Sequence, residues 1–100
     1  MLYITQLIYI KPGKEELFLE FENKVIPLMG RYTGKIIQRI RPTEESFVSG
    51  EEKRPYEIHI VSFDSDEDFM AYARNPERNQ FMYLKDQSVE EILMFKGSSI

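Results

Sequence analysis

LYITQLIYI at residues 2–10 and YEIHIVSF at residues 56–63 decide the fold. Both runs have strand length, are rich in β-branched and aromatic residues, and are apolar on two faces. In the first, Leu2, Ile4, Ile8 and Ile10 share one face, while Tyr3, Leu7 and Tyr9 share the other. A strand with one wet face alternates apolar with polar residues, and these do not, so both faces of the sheet need cover. The rest of the chain carries helical pattern for one layer only. The second layer is therefore expected from a second copy of the chain, a homodimer burying at least ~1,200 Å² in total.

Between the two strands, Leu17, Phe18, Phe21, Val25, Leu28, Met29 and Tyr32 recur at helical spacing and form one stripe after the Lys11-Pro12-Gly13 turn. Phe21 and Val25 sit at its centre and are expected to be buried against the sheet. Pro27 cannot continue a regular helix, which predicts a kink near Asn23 and Lys24 or a short final turn. Gly34 is expected to serve the turn into KIIQRIR at 35–41. By strict alternation that strand puts Ile36, Gln38 and Ile40 on one face, and Lys35, Ile37, Arg39 and Arg41 on the other. Residues 43–55 are polar and charged and read as a long hairpin connection, with Phe47 and Val48 either packed on its base or serving as a lid or partner contact. After the second two-faced strand, Ser65 precedes an acidic turn as a helix cap, and Asn75-Pro76 restarts a helix with Phe81 and Leu84 on its apolar side. Residues 89–95 form the last strand, with Ile92 and Met94 opposite Glu91, Leu93 and Phe95.

The order is strand, helix, strand, strand, helix, strand. Two such halves with right-handed crossovers give an α+β, ferredoxin-like four-stranded antiparallel sheet with helices on one face. One hundred residues make a single domain over 1–97, with 98–100 a tail.

Thirteen basic and seventeen acidic residues leave a net charge of −4, which argues against a nucleic-acid surface. There is no cysteine, so disulfides, thiolate metal sites and a cysteine nucleophile are excluded. No apolar run reaches membrane length and the first residues lack a signal-peptide pattern, so a cytoplasmic location is expected.

His59 is the first candidate for chemistry, because imidazole is the usual acid–base group near neutral pH. It shares a strand face with Phe63, which leads into the second helix, so it is expected to face the helices. The bland alternative is a hydrogen-bonded structural histidine. Arg39 is a candidate to hold an anionic ligand, against the alternative of a salt bridge to an acidic residue. Tyr9 and Tyr56, with Tyr3, fall by parity on the face away from the helices and suit an interface or a pocket wall. Ser62 shares the Tyr56 face and has no base in its strand pattern, so it reads as a ligand contact rather than a nucleophile. Any small-molecule site is expected on the sheet, among Tyr9, Arg39, Tyr56 and Ser62, rather than in the 43–55 loop. No histidine pair or other ligand spacing is present, so no metal site is expected.

KPGKEELFLEFENKVIPLMGRYTGKII followed by VSFDSDEDFMAYARNPERNQFMYL resembles the dimeric α+β barrel superfamily. The style is that of uncharacterised proteins related to the DUF1330 group and, further off, of antibiotic-biosynthesis monooxygenase-like proteins. The matching signals are Pro12-Gly13, Gly34, and Phe63 with Ser65, over residues 8 to 97. The resemblance implies a homodimer with a pocket in the barrel or between helices and sheet. Haem-degrading relatives resemble one another in an asparagine, tryptophan and helical histidine set. This chain has no tryptophan and its one histidine is in a strand, so no cofactor is expected. What the resemblance implies for function is a small-molecule binder or cofactor-free enzyme, monooxygenase-like or isomerase-like, on an aromatic or keto-acid metabolite. The alternative is a non-catalytic homodimeric sensing or assembly module.

Overall fold

The computed structural model describes residues 1–50 and 53–100; Glu51 and Glu52, within the 43–55 connection, lie outside the described residues. Strand β1 (Leu2–Ile10) leads through the Pro12-Gly13 turn into α1 (Glu15–Val25), a 3₁₀ segment (Ile26–Tyr32) and β2 (Lys35–Ile40). After the long connection come β3 (Glu57–Phe63), α2 (Asp66–Ala73), α3 (Pro76–Asn79), α4 (Met82–Ser88) and β4 (Val89–Gly97). The sheet order is β2-β3-β1-β4 with antiparallel pairing throughout. This is the expected ferredoxin-like α+β sheet with its helices on one face.

Local chemistry sets the boundaries. Pro27 lies at the start of the 3₁₀ segment, which is the short final turn expected where α1 stops. Ser65 Oγ accepts from Asp68 N at 3.1 Å, and Asn75 Oδ1 accepts from Arg78 N at 2.7 Å with Pro76 next in line, so both caps are as expected.

Gly34 serves the turn into β2, its N–H donating to the Met29 carbonyl oxygen at 2.9 Å. The left-handed residue is Thr33 (φ 63°), not Gly34. Gly34 is required for space: a Cβ there would lie 2.7 Å from Phe63 Cε1 and 2.9 Å from the Met29 carbonyl oxygen. Thr33 is anchored in compensation, its hydroxyl donating to Asp68 at 2.8 Å and accepting from Asp64 N at 3.0 Å.

The core lies between the sheet and the helices in two clusters. Ile4, Val61 and Phe63 pack with Leu28, Met29 and Tyr72, and Ile8 packs with Phe18, Phe21, Val25 and Leu84. Phe21 and Val25 are buried, as their place in the stripe requires. The alternate residues of the strands form the opposite face. There Leu7 pairs with Leu93 and Ile58, Ile40 pairs with Ile58, and Phe95 pairs with Thr5. Ile40 is 41% exposed, Leu93 40% and Phe95 60%. No helix of the described residues is long and apolar enough to cross a membrane.

Strict alternation fails in β2. Ile36 pairs with Val61 while Gln38 pairs with Ile60, so Ile37 is an extra residue, a β-bulge. The bulge leaves Ile36 on the helix side and returns Arg39, opposite His59, to that same side. The expectation that Arg39 faces away from the helices is thereby corrected. Tyr56 is corrected too. It precedes β3, so strand parity does not govern it, and its ring meets Phe18 of α1 edge-on at 6.0 Å.

Candidate functional site

Glu57 and His59 are two apart on β3, which puts both on the helix side, and Glu22 descends from the apolar stripe of α1 to meet them. All three are buried, at 1%, 5% and 2% exposure. His59 Nε2 is 2.7 Å from Glu57 Oε1 and 3.0 Å from Glu22 Oε2. Two guanidiniums close the cluster from β2 and its end. Arg39 Nη2 donates to Glu22 Oε1 at 2.6 Å and Arg39 Nε to Glu57 Oε1 at 3.1 Å, while Arg41 donates to Glu57 Oε2. Arg41 also lies over the Tyr56 ring at 4.5 Å. Arg39 therefore forms the salt bridge weighed as its alternative, within one chain. Glu22 Oε2, by contrast, has no aligned hydrogen bond among the described residues. Its near neighbour is His59 Nε2, at 3.0 Å.

The electrostatics follow from this arrangement. Burial pushes the Glu22 carboxyl up from its ordinary value, with the neighbouring Glu57 charge adding to the rise against His59 and Arg39. Burial acts in the same direction on Glu57, but His59, Glu22, Arg41 and Arg39 outweigh it and hold Glu57 far below the usual carboxylate range. Burial lowers His59, and the adjoining Glu22 and Glu57 carboxyls more than reverse that and raise it above 6.5.

The consequence for stability has a definite sign. His59 holds its proton more tightly when folded, so its contribution is complete below about pH 6.5 and is lost as pH rises through the folded value. Glu22 acts the same way from about pH 4.5 upward, and Glu57 acts oppositely below that. Urea titrations across pH 6 to 9 should show stability falling with pH, and His59→Gln should flatten the slope. An unchanged slope in that variant would show that His59 does not carry it.

The ligand atoms of Glu22, Glu57 and His59 lie within 4.8 Å of one another, a grouping that could hold a metal ion and that sequence spacing did not reveal. Arg39 and Arg41 already supply the positive charge such an ion would bring to the two carboxylates. The donor set suits a proton better than a divalent cation.

Glu22 and His59 border a cavity of about 280 Å³ between the helices and the sheet. Phe18, Phe21, Val25, Met29, Val61 and Phe63 supply much of its apolar wall. Gln6, Arg78 and Lys85 add polar groups. Tyr9, Arg39, Tyr56 and Ser62 do not line it. Tyr9 and Tyr56 instead meet in a second, more open cleft of about 330 Å³ with Arg41, Lys53 and Arg54. Ser62 is buried on the sheet face away from the helices, paired with Tyr3 and Lys35, and is separated from His59 by strand parity. Phe47 is 44% exposed and Val48 100% exposed, and neither borders a cavity described here.

The class these features define is an α+β ferredoxin-like domain with a cavity between helix layer and sheet. Solved structures share the fold. A protein of unknown function from Rhodopseudomonas palustris superposes with a TM-score of 0.84 at 14% identity, covering 99% of this chain and 82% of that one. An uncharacterised NIPSNAP domain protein from Burkholderia xenovorans gives 0.71 at 15% identity, covering 100% and 95%. A protein of unknown function from Bacteroides fragilis, described as dimeric with a ferredoxin-like fold, gives 0.73 at 13% identity, covering 98% and 95%. No family model and no curated protein matches the chain. At these identities the likeness carries the fold alone.

Proposed function

We propose that the chain is a homodimeric, cofactor-free protein of the dimeric α+β barrel type that binds a small aromatic or keto-acid molecule between helices and sheet and moves a proton on it. The observation that carries this reading is Glu22 Oε2. It is a buried carboxylate oxygen of a residue that lines the cavity, the pKa of that carboxyl is raised, and it lies 3.0 Å from an imidazole nitrogen. A C–H beside a carbonyl would give its proton to Glu22 Oε2, and the bonding pair would pass to the carbonyl oxygen as an enolate. His59 Nε2 would relay the proton within the pair, and its return to another substrate atom completes an isomerase-like exchange. Monooxygenase-like chemistry has support from the resemblance only. The DUF1330 kinship is likewise our reading of the Pro12-Gly13, Gly34 and Phe63–Ser65 signals, and the cytoplasmic placement our reading of the sequence.

Deuterium exchange into the methylene of phenylpyruvate, followed by proton NMR, tests the chemistry. The wild type should exceed spontaneous exchange, Glu22→Gln should abolish the excess and His59→Gln should reduce it. Equal rates in wild type and Glu22→Gln would remove the acid–base assignment and leave the non-catalytic module.

The dimer is supported by the second apolar face, where Ile40, Leu93 and Phe95 remain exposed, and by the dimeric Bacteroides fragilis protein of the same fold. Sedimentation at micromolar concentration should give twice the chain mass, and Leu93→Lys combined with Phe95→Asp should give a folded monomer. A wild-type monomer would refute the assembly.

A further inference from the structure

Two cations from the helix layer reach the same cavity without a carboxylate to meet them. Arg78 belongs to α3 and Lys85 to α4, and both are half-buried. Among the described residues neither has an acidic oxygen within 4.0 Å, although the chain is acidic overall and its other buried charges are paired several times over. The Arg78 guanidinium stacks over the Tyr72 ring at 4.9 Å. Its Nη1 makes a long contact of 3.4 Å to the Ala73 carbonyl oxygen and a weak one of 3.6 Å to Met82 Sδ. Its Nε is buried and makes no hydrogen bond among the described residues. Burial lowers the Lys85 pKa, and the nearby Arg78 charge lowers it further against a partial offset from Asp86. Two like charges held together in a half-dry place, with donors unspent, are unfavourable in the empty protein. An anion reverses that balance.

We infer that the molecule bound in this cavity is a small organic carboxylate, its carboxylate held by Arg78 and Lys85 and its apolar body lying along Phe18, Phe21, Val61 and Phe63. The inference rests on the reading of this cavity as the functional site. It adds the charge of the ligand and the residues that read it. The volume of about 280 Å³ corresponds to roughly nine waters of liquid, which sets the ligand at about ten non-hydrogen atoms. Among the described residues, Glu22 Oε2 and Arg78 Nε are buried without an aligned hydrogen bond, and both residues line the cavity. A molecule with an anionic end and an acidic C–H or O–H at the other matches this lining: the carboxylate faces the Arg78 guanidinium and the Lys85 ammonium, and the acidic hydrogen faces the Glu22 carboxyl. A neutral or cationic molecule of the same shape would leave the Arg78 and Lys85 donors unmatched.

Phenylacetate and phenylacetamide are matched in size and differ in charge, and titration calorimetry of both against the wild type, Arg78→Met and Lys85→Met tests the inference. The wild type should prefer the carboxylate by about tenfold or more, the effect of a charge-assisted contact in a part-buried site. Each variant should lose most of that preference while binding the amide as the wild type does, with unchanged near-ultraviolet dichroism. Equal affinity for the two probes, or a preference that survives in both variants, would overturn the inference and leave the cavity assignment standing. Carboxylate selectivity without catalysed exchange in phenylpyruvate would uphold the inference while removing the acid–base role of Glu22. Failure of both probes to bind would overturn the inference together with the cavity reading.

Discussion

Glu57→Ala is expected to destabilise the protein by about 3 kcal/mol at neutral pH, the scale for removing one member of a buried charge cluster. Glu57 is 1% exposed and receives Arg39, Arg41 and His59 together. Without it the Arg41 side chain, half exposed, turns into water at little cost, which keeps the loss from being larger. His59 has no such exit at 5% exposure, and it would have Glu22 alone to hold its proton. The variant should therefore also lose part of the fall in stability between pH 6 and 9. Urea titration of wild type, Glu57→Ala and Glu57→Gln separates charge from shape, since glutamine keeps the volume and an acceptor. A loss below about 1 kcal/mol for alanine would mean that the cluster is solvated rather than buried.

Phe18→Ala should cost about 4 kcal/mol, in the range for a fully buried phenylalanine. Its ring is 2% exposed and sits between Phe21, 6.4 Å away, and Tyr56, 6.0 Å away. The void it leaves would adjoin the existing cavity, which the surrounding wall cannot close. Phe21→Ala should cost about 3 kcal/mol, because Phe21, at 7% exposure against 2% for Phe18, buries less of its ring. Reversible denaturation measures both, and a smaller loss for Phe18 than for Phe21 would contradict the packing described.

The two-sided strands, the helical stripe from Leu17 to Tyr32 and the Ser65 and Asn75 caps made the sheet and helix order legible, because each is local in sequence. His59 was legible for the same reason: its parity with Phe63 directs it to the helices. The rest of the site was not. Glu57 stands two residues from His59 and Glu22 four residues after Phe18, so alternation and helical spacing place both toward the interior. A single acidic residue in such a pattern reads as a surface position until its cationic partner is known. That partner is Arg39, and the Ile37 bulge hid it, since one extra residue reverses the face of everything after it. Arg78 and Lys85 come from two short helices with no long apolar stripe to phase them.

The most direct test of the account is where a small anion binds. Phenylacetate titrated into ¹⁵N-labelled protein should shift the amides of Glu22, His59, Arg78 and Lys85 together, with Tyr9, Lys53 and Tyr56 unmoved. Shifts confined to Tyr9, Lys53 and Tyr56, or to the Leu93 and Phe95 face of the sheet, would place binding outside the cavity and contradict the account.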